Sequence, residues 1–123
     1  MITGAHFLLY SKDPEADRAF FRDVLDFRSI DIGRGWLIFA LPPSEMAVHP
    51  SNNDAVQSDD EHPLSRTSLY LMCKDLNADI RFLESKNVTC TPINRAAWGI
   101  KTTIRLPSGG EVGLYQPMHP TAI

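Results

Sequence analysis

Cysteine is scarce in this chain. Cys73 and Cys90 are the only two in 123 residues. They are not spaced as a CxxC pair, which excludes a disulfide framework and a cysteine-based zinc site. Cys73 falls in an apolar run and is expected to be a small buried residue. No apolar run approaches the ~18 residues that a membrane-spanning helix needs. The opening "MITGAHFLLYSKDP" lacks the basic region and long apolar stretch of a secretory leader, so a cytoplasmic location is expected. Positive charge is also short: 12 Lys and Arg stand against 15 Asp and Glu, a net charge of −3. That argues against nucleic acid or an anionic membrane as a partner. There is no phosphate loop, no GxGxxG and no nucleophile elbow. His62 and His119, each followed by proline, read as loop residues.

What is present suits one globular domain. Hydrophobic residues make up 43% and charged residues 22%, a composition able to build a core. A chain of this length buries roughly two-thirds of its unfolded surface on folding, so it needs no covalent staples.

The segment "ITGAHFLLY" (2–10) is rich in apolar and aromatic residues and reads as a strand. A helix is predicted next. Asp13 can cap it, Pro14 suits its first position and Glu15 complements its dipole. Ala16, Ala19, Phe20, Val24 and Leu25 then recur at helical spacing. "FRSIDIG", "GWLIFALPP" and "EMAVHP" follow as a meander of short strands separated by glycine or Pro-Pro. Residues 51–66, "SNNDAVQSDDEHPLSR", are polar, acidic and aperiodic, and read as a linker. Then the order repeats: "TSLYLMCKD" as a strand, a helix capped by Asp75 with Leu76, Ile80 and Leu83 on one face, and the strands "VTCTPI", "GIKTTIRLP" and "EVGLYQP".

The repeat is weak in identity but consistent in order. Fourteen residues separate His6 from Phe20, and fourteen separate Ser68 from Phe82. "ALPPSEMAVHP" is echoed by "RLPSGGEVGLYQP". The expectation is an α+β fold of two βαβββ modules, residues 1–50 and 67–123. Their strands would pair into one curved, cup-shaped mixed sheet with the helices on its outer face.

Strand parity divides the predicted faces. Phe7, Leu9, Leu37, Phe39, Leu41, Leu69, Leu71, Ile104, Leu106, Val112 and Leu114 share one parity and are almost wholly apolar, as a core under the helices would be. The other parity carries His6, Leu8, Tyr10, Trp36, Ile38, Ala40, Ser68, Tyr70, Met72, Lys101, Thr103, Arg105, Gly113 and Tyr115. That mixture of aromatics, a histidine and cations is typical of ligand pockets. The aromatics can stack on a planar ligand. Arg105 and Lys101 can hold an anion, or can pair with Glu111 or Glu45 across the sheet. Trp98 and Gly99 are expected on a loop at the mouth of the cup.

"GAHFLLYSKDPEADRAFFRDVLDF" resembles the opening of the glyoxalase, bleomycin-resistance and extradiol-dioxygenase superfamily. "SLYLMCKDLNADIRFLESKNV" is similar to the start of its second module, and "LPSGGEVGLYQP" to its last hairpin. In that family up to four His, Glu or Gln side chains bind a metal in the cup. The resemblance carries those positions onto His6, Ala47, Ser68 and Gly113. Only His6 matches, so no metal or other cofactor is expected at the family position, where a divalent site needs two or three donors. Gly113 is then either an emptied ligand position in an ordinary strand, where an added methyl should be tolerated, or a residue whose backbone needs positive φ, where any side chain is costly.

The resemblance implies a metal-free binding protein of the bleomycin-resistance type. A small aromatic or anionic molecule would be its partner, held by His6, Tyr10, Trp36, His49, Ser68, Tyr70, Arg105 and Tyr115. Two enzymatic readings stand beside it: a metal-dependent lyase, isomerase or dioxygenase with a displaced site at His6 and His49, and a metal-free enzyme with His6 as general base. Family members pair or exchange modules, so a homodimer is expected.

Overall fold

Residues 6–48 and 67–123 are described by the computed structural model. His49 and the predicted linker 51–66 lie outside the described residues.

Helix α1, Pro14–Asp23, starts as its sequence dictates. The Asp13 side chain accepts the N–H of Ala16 at 3.2 Å, and Pro14 occupies the first turn, where no N–H is needed. Asp17, Phe20 and Phe21 form its buried face. It ends before Asp26, whose φ of 58° turns the chain away. Two short strands follow, β1 (Ser29–Asp31) and β2 (Leu37–Phe39), paired antiparallel. Their connection is closed by the Asp31 carboxylate, which accepts the N–H groups of Gly33 and Gly35.

The second half begins with β3 (Tyr70–Met72) and helix α2 (Leu76–Ser85). Asp75 caps α2 by accepting the N–H of Ala78 at 3.0 Å, and Leu76 and Leu83 are its buried residues. The Leu76 N–H also donates to Gln116 Oε1 at 3.0 Å, tying the start of α2 to the last strand. Strands β4 (Asn94–Ala96), β5 (Gly99–Arg105) and β6 (Glu111–Pro117) complete a four-stranded sheet in the order β3-β6-β5-β4. β3 runs parallel to β6, and the other pairs are antiparallel.

The core lies on one face of this sheet. Ile100, Ile104, Val112 and Leu114 point to it, together with Leu76, Leu83 and Val88. Thr102 is buried among them, its hydroxyl donating to the Thr91 carbonyl at 2.6 Å. Helix α1 delivers Phe20 and Phe21 to the same core, with Val24, Leu25, Phe27 and Phe39 packed against it. One buried polar contact fixes α1 there. The two Asp17 oxygens accept the backbone N–H of Ser108 at 3.0 Å and its hydroxyl at 2.7 Å, on the turn between β5 and β6.

The architecture is α+β, as the sequence predicts, and both helices start at their predicted caps. The strands of the second half keep the predicted parity. The first half departs from expectation. Residues 6–10 form no strand, and Phe7 and Leu9, predicted for the core, are 43% and 48% exposed. Leu41 is exposed too, and residues 45–48 of the predicted third meander strand are unpaired. A strand needs a partner as well as a pattern, and among the described residues neither segment finds one. The β1–β2 pair and the four-stranded sheet accordingly share no ladder.

"VTCTPI" is also altered. Cys90 makes an isolated bridge to Ile104, whereas β4 pairs Asn94 with Lys101, so the register slips by one residue between them. Pro92, which has no N–H to give, stands at that slip, where a bulge is tolerated. Among the described residues no helix is long and apolar enough to cross a membrane.

Candidate functional site

Across the sheet from the core, the odd-numbered residues of β5 and β6 and the even-numbered residues of β3 share a face. Tyr70 lies opposite Gly113 in the parallel ladder, and Lys101 lies opposite Tyr115 in the antiparallel one. The β4–β5 turn carries Trp98 to the end of this face, its carbonyl accepting the N–H of Met118 at 2.8 Å.

These residues form one cluster. Tyr115 is at its centre, meeting Tyr70 edge to face with centroids 5.9 Å apart and Trp98 in the same way at 5.7 Å. The His119 ring stacks on it with centroids 6.2 Å apart. Such geometries suit the ring quadrupoles. The Lys101 ammonium lies 5.6 Å from the Tyr70 ring centroid and 5.4 Å from that of Trp98, within cation–π range of both. Tyr70 and Trp98 are 42% and 41% exposed, so their rings remain open to a ligand.

Hydrogen bonding orders the edge of the cluster. His119 Nδ1 is 2.8 Å from the Pro120 carbonyl oxygen. A carbonyl only accepts, so we assign the imidazole proton to Nδ1. In the neutral ring Nε2 is then an acceptor, and the Tyr115 hydroxyl donates to it at 3.3 Å. Burial pushes the Tyr115 phenol up, and the Glu45 carboxylate adds to the rise, so at neutral pH the group is a hydrogen-bond donor. Glu45 is itself engaged, its Oε2 accepting the Ala122 N–H at 2.7 Å. Beneath Tyr115, the Cys73 thiol donates to the Tyr115 carbonyl at 3.6 Å. Burial, followed by the Asp79 and Asp75 carboxylates, pushes that thiol up to about 12. It is a packing group and not a nucleophile.

Gly113 takes a different meaning from the one its sequence suggests. Its backbone is ordinary strand, without positive φ. A Cβ placed there would stand 2.9 Å from Tyr70 Cγ and closer still to Cδ1 and Cε1. The glycine makes room for a tyrosine ring, which lies against the position that the resemblance assigns to a metal-binding carboxylate. The expected tolerance of a methyl group at this position is therefore corrected.

The other predicted site residues scatter. His6 is exposed on an extended segment, without a hydrogen bond to a described residue, and Tyr10 is exposed beside it. Trp36 is exposed just ahead of β2, with the Arg18 guanidinium 4.4 Å over its ring. Ser68 is exposed ahead of β3. Arg105 ends β5 opposite Glu111 without forming an ion pair. His49 lies outside the described residues. Of the eight predicted positions, the structure brings Tyr70 and Tyr115 together. Sequence reasoning offers Lys101 to an anion and sets Trp98 at the mouth of the cup, but gives His119 no role. Parity had pointed to Lys101, whereas the return of His119 onto Tyr115, four residues back, had no signal in the chain.

Ala47, Ser68 and Gly113 do not fit a divalent metal at the positions carried over from the resemblance. Among the described residues no three His, Cys, Asp or Glu side chains converge elsewhere. Two open clefts, of about 190 and 340 Å³, lie on the helix side. Core side chains such as Val24, Leu83 and Phe20 line them, and neither reaches the aromatic cluster.

Comparison with known proteins fits this architecture. An antibiotic-binding protein, TnmS3 from Streptomyces sp. CB03234, superposes with a TM-score of 0.64 at 23% identity, over 95% of this chain and 98% of that one. A lactoylglutathione lyase from Agrobacterium tumefaciens gives 0.63 at 18% identity, over 93% and 92%. The fosfomycin resistance protein FosX from Listeria monocytogenes gives 0.58 at 14% identity, over 96% of both chains. At such identities these likenesses speak to fold, which binding proteins and enzymes share here. No curated protein sequence matches the chain at a significant level. The family model for the glyoxalase/bleomycin resistance protein/dioxygenase superfamily matches residues 4–112, and the chain belongs to that superfamily.

Proposed function

We propose that this protein is a cytoplasmic small-molecule binding protein of the bleomycin-resistance type. It works without a metal and holds an aromatic or anionic ligand against the open face of the four-stranded sheet. The observation that carries this reading is the Tyr70 ring over Gly113. Hydrophobic stacking surface stands there in place of a ligating carboxylate, beside Tyr115 and Trp98. The likeness to an antibiotic-binding protein is consistent with it.

The partner of this chain is proposed to be a second copy of itself. Phe7, Leu8, Leu9, Met46 and Val48 are exposed on segments that find no strand partner among the described residues, and a homodimer would cover them. The enzymatic readings draw less support. His6 is exposed and has, among the described residues, no group to orient it, whereas a general base needs an aligned partner.

Metal analysis of protein purified without chelator tests the proposal. Well under one equivalent of zinc, nickel, iron or manganese is expected, and added chelator should leave the melting temperature unchanged. Stoichiometric metal, lost together with stability on chelation, would overturn the metal-free reading.

A further inference from the structure

The Lys101 ammonium brings a positive charge into the aromatic cluster. It is half-buried on β5, between the faces of Tyr70 and Trp98. Among the described residues no carboxylate lies within 4.0 Å of it. Arg105, the other cation of this strand face, is four residues along, roughly 13 Å away, and has Glu111 opposite it in the ladder. Lys101 thus combines positional restraint by two rings with the lack of a counter-ion among the described residues.

The geometry points to Lys101 as the anion anchor of a site for planar aromatic acids, the class of aryl carboxylates and phenolates. This inference rests on the binding-protein reading and narrows it. The ligand's ring stacks on the exposed faces of Trp98 and Tyr70, and its acid group reaches the ammonium at the junction of those rings. A cationic aromatic is disfavoured, because the Lys101 ammonium beside both rings would repel a second cation. A neutral aromatic gains the stacking but not the charge-assisted hydrogen bond. The Tyr115 hydroxyl, committed to His119 Nε2, holds the central ring in register with both stacking partners. The Glu45 carboxylate felt by Tyr115 is held by the Ala122 N–H.

The test compares two probes of equal shape, 2-naphthoate and the neutral 2-naphthamide, by calorimetric titration of the full chain. Wild type should bind the anion at least about tenfold more tightly, the scale of one hydrogen bond to a charged group. Lys101→Met keeps the stem and removes the charge. It should abolish the preference while leaving naphthamide affinity within about twofold, and Lys101→Arg should restore the preference. A purely structural lysine would shift both probes together. Equal affinities in wild type, or a preference that survives Lys101→Met, would overturn the assignment and leave the binding-protein reading standing. If neither probe binds wild type, the aromatic-acid site is refuted. Metal content and chelator response, which test the broader reading, do not depend on Lys101. The wild-type comparison needs no variant, so it decides even if a substitution impairs folding.

Discussion

Gly113→Ala separates the two meanings of that glycine. In an ordinary strand the change should stabilise by ~0.5–1 kcal/mol, through the lower entropy of the unfolded chain. Here the new Cβ would clash with the Tyr70 ring, 2.9 Å from Cγ and nearer to Cδ1. Since Cγ is fixed close to the backbone, the ring must change rotamer. It then loses its edge-to-face contact with Tyr115, 5.9 Å between centroids, worth ~0.5–1.5 kcal/mol. It also leaves the Lys101 ammonium, 5.6 Å away, at a cost of ~0.5–1 kcal/mol for a partly exposed cation–π contact. The balance is a net loss of about 1 kcal/mol, a fall of roughly 3–6 °C in melting temperature for a domain of this size. The decisive measurement is a double-mutant cycle by urea denaturation. In a Tyr70→Ala background the ring is gone, and Gly113→Ala should become stabilising by ~0.5–1 kcal/mol. A change of sign between the two backgrounds is the expected result. Stabilisation of the wild type by Gly113→Ala, or the same cost in both backgrounds, would refute the claim that the tyrosine ring requires glycine there.

Phe20→Ala should cost ~3–5 kcal/mol in the same titration, because Phe20 is 6% exposed and packs edge to face on Phe21; a loss below about 1 kcal/mol would place α1 off the core. Asp17→Ala strands the Ser108 N–H and hydroxyl, and should cost ~1–3 kcal/mol, with hydrogen exchange at Ser108 rising before that of the β5–β6 ladder. Cys73 should resist alkylation at pH 8 until the protein unfolds, since a thiol pushed up to about 12 leaves a thiolate fraction on the order of 10⁻⁴. Cys73, Cys90 and Tyr115 all hold their protons to higher pH in the folded chain than in the unfolded one. Their contribution to stability is therefore complete below the unfolded thiol value of ~8.5 and declines as pH rises above it. A melting temperature that climbs between pH 8.5 and 10.5 would contradict that sign.

Local chemistry was legible in the chain because it is decided over a few residues. Asp13 and Asp75 each sit three residues before the N–H they cap. The alternation of Ile100 to Arg105 and of Val112 to Tyr115 follows from the pleat alone, so the core face and the open face of the second half were readable in advance. The same pattern in residues 6–10 misled, because apolar alternation states a preference for a strand but cannot supply the neighbouring backbone that completes it. Tertiary structure decided everything that depends on approach between distant segments. Asp17 and Ser108 are 91 positions apart, and their contact seats α1 over the four-stranded sheet. Tyr70 and Gly113 are 43 positions apart in the chain but directly opposite in the ladder, so the reason for the glycine was written elsewhere in the sequence. Trp98, Lys101 and His119 came from a turn, a strand and a tail, and only the fold of the β5–β6 region places them around Tyr115. A site of this kind is made by ring faces meeting at defined angles, and neither spacing nor composition encodes an angle between side chains.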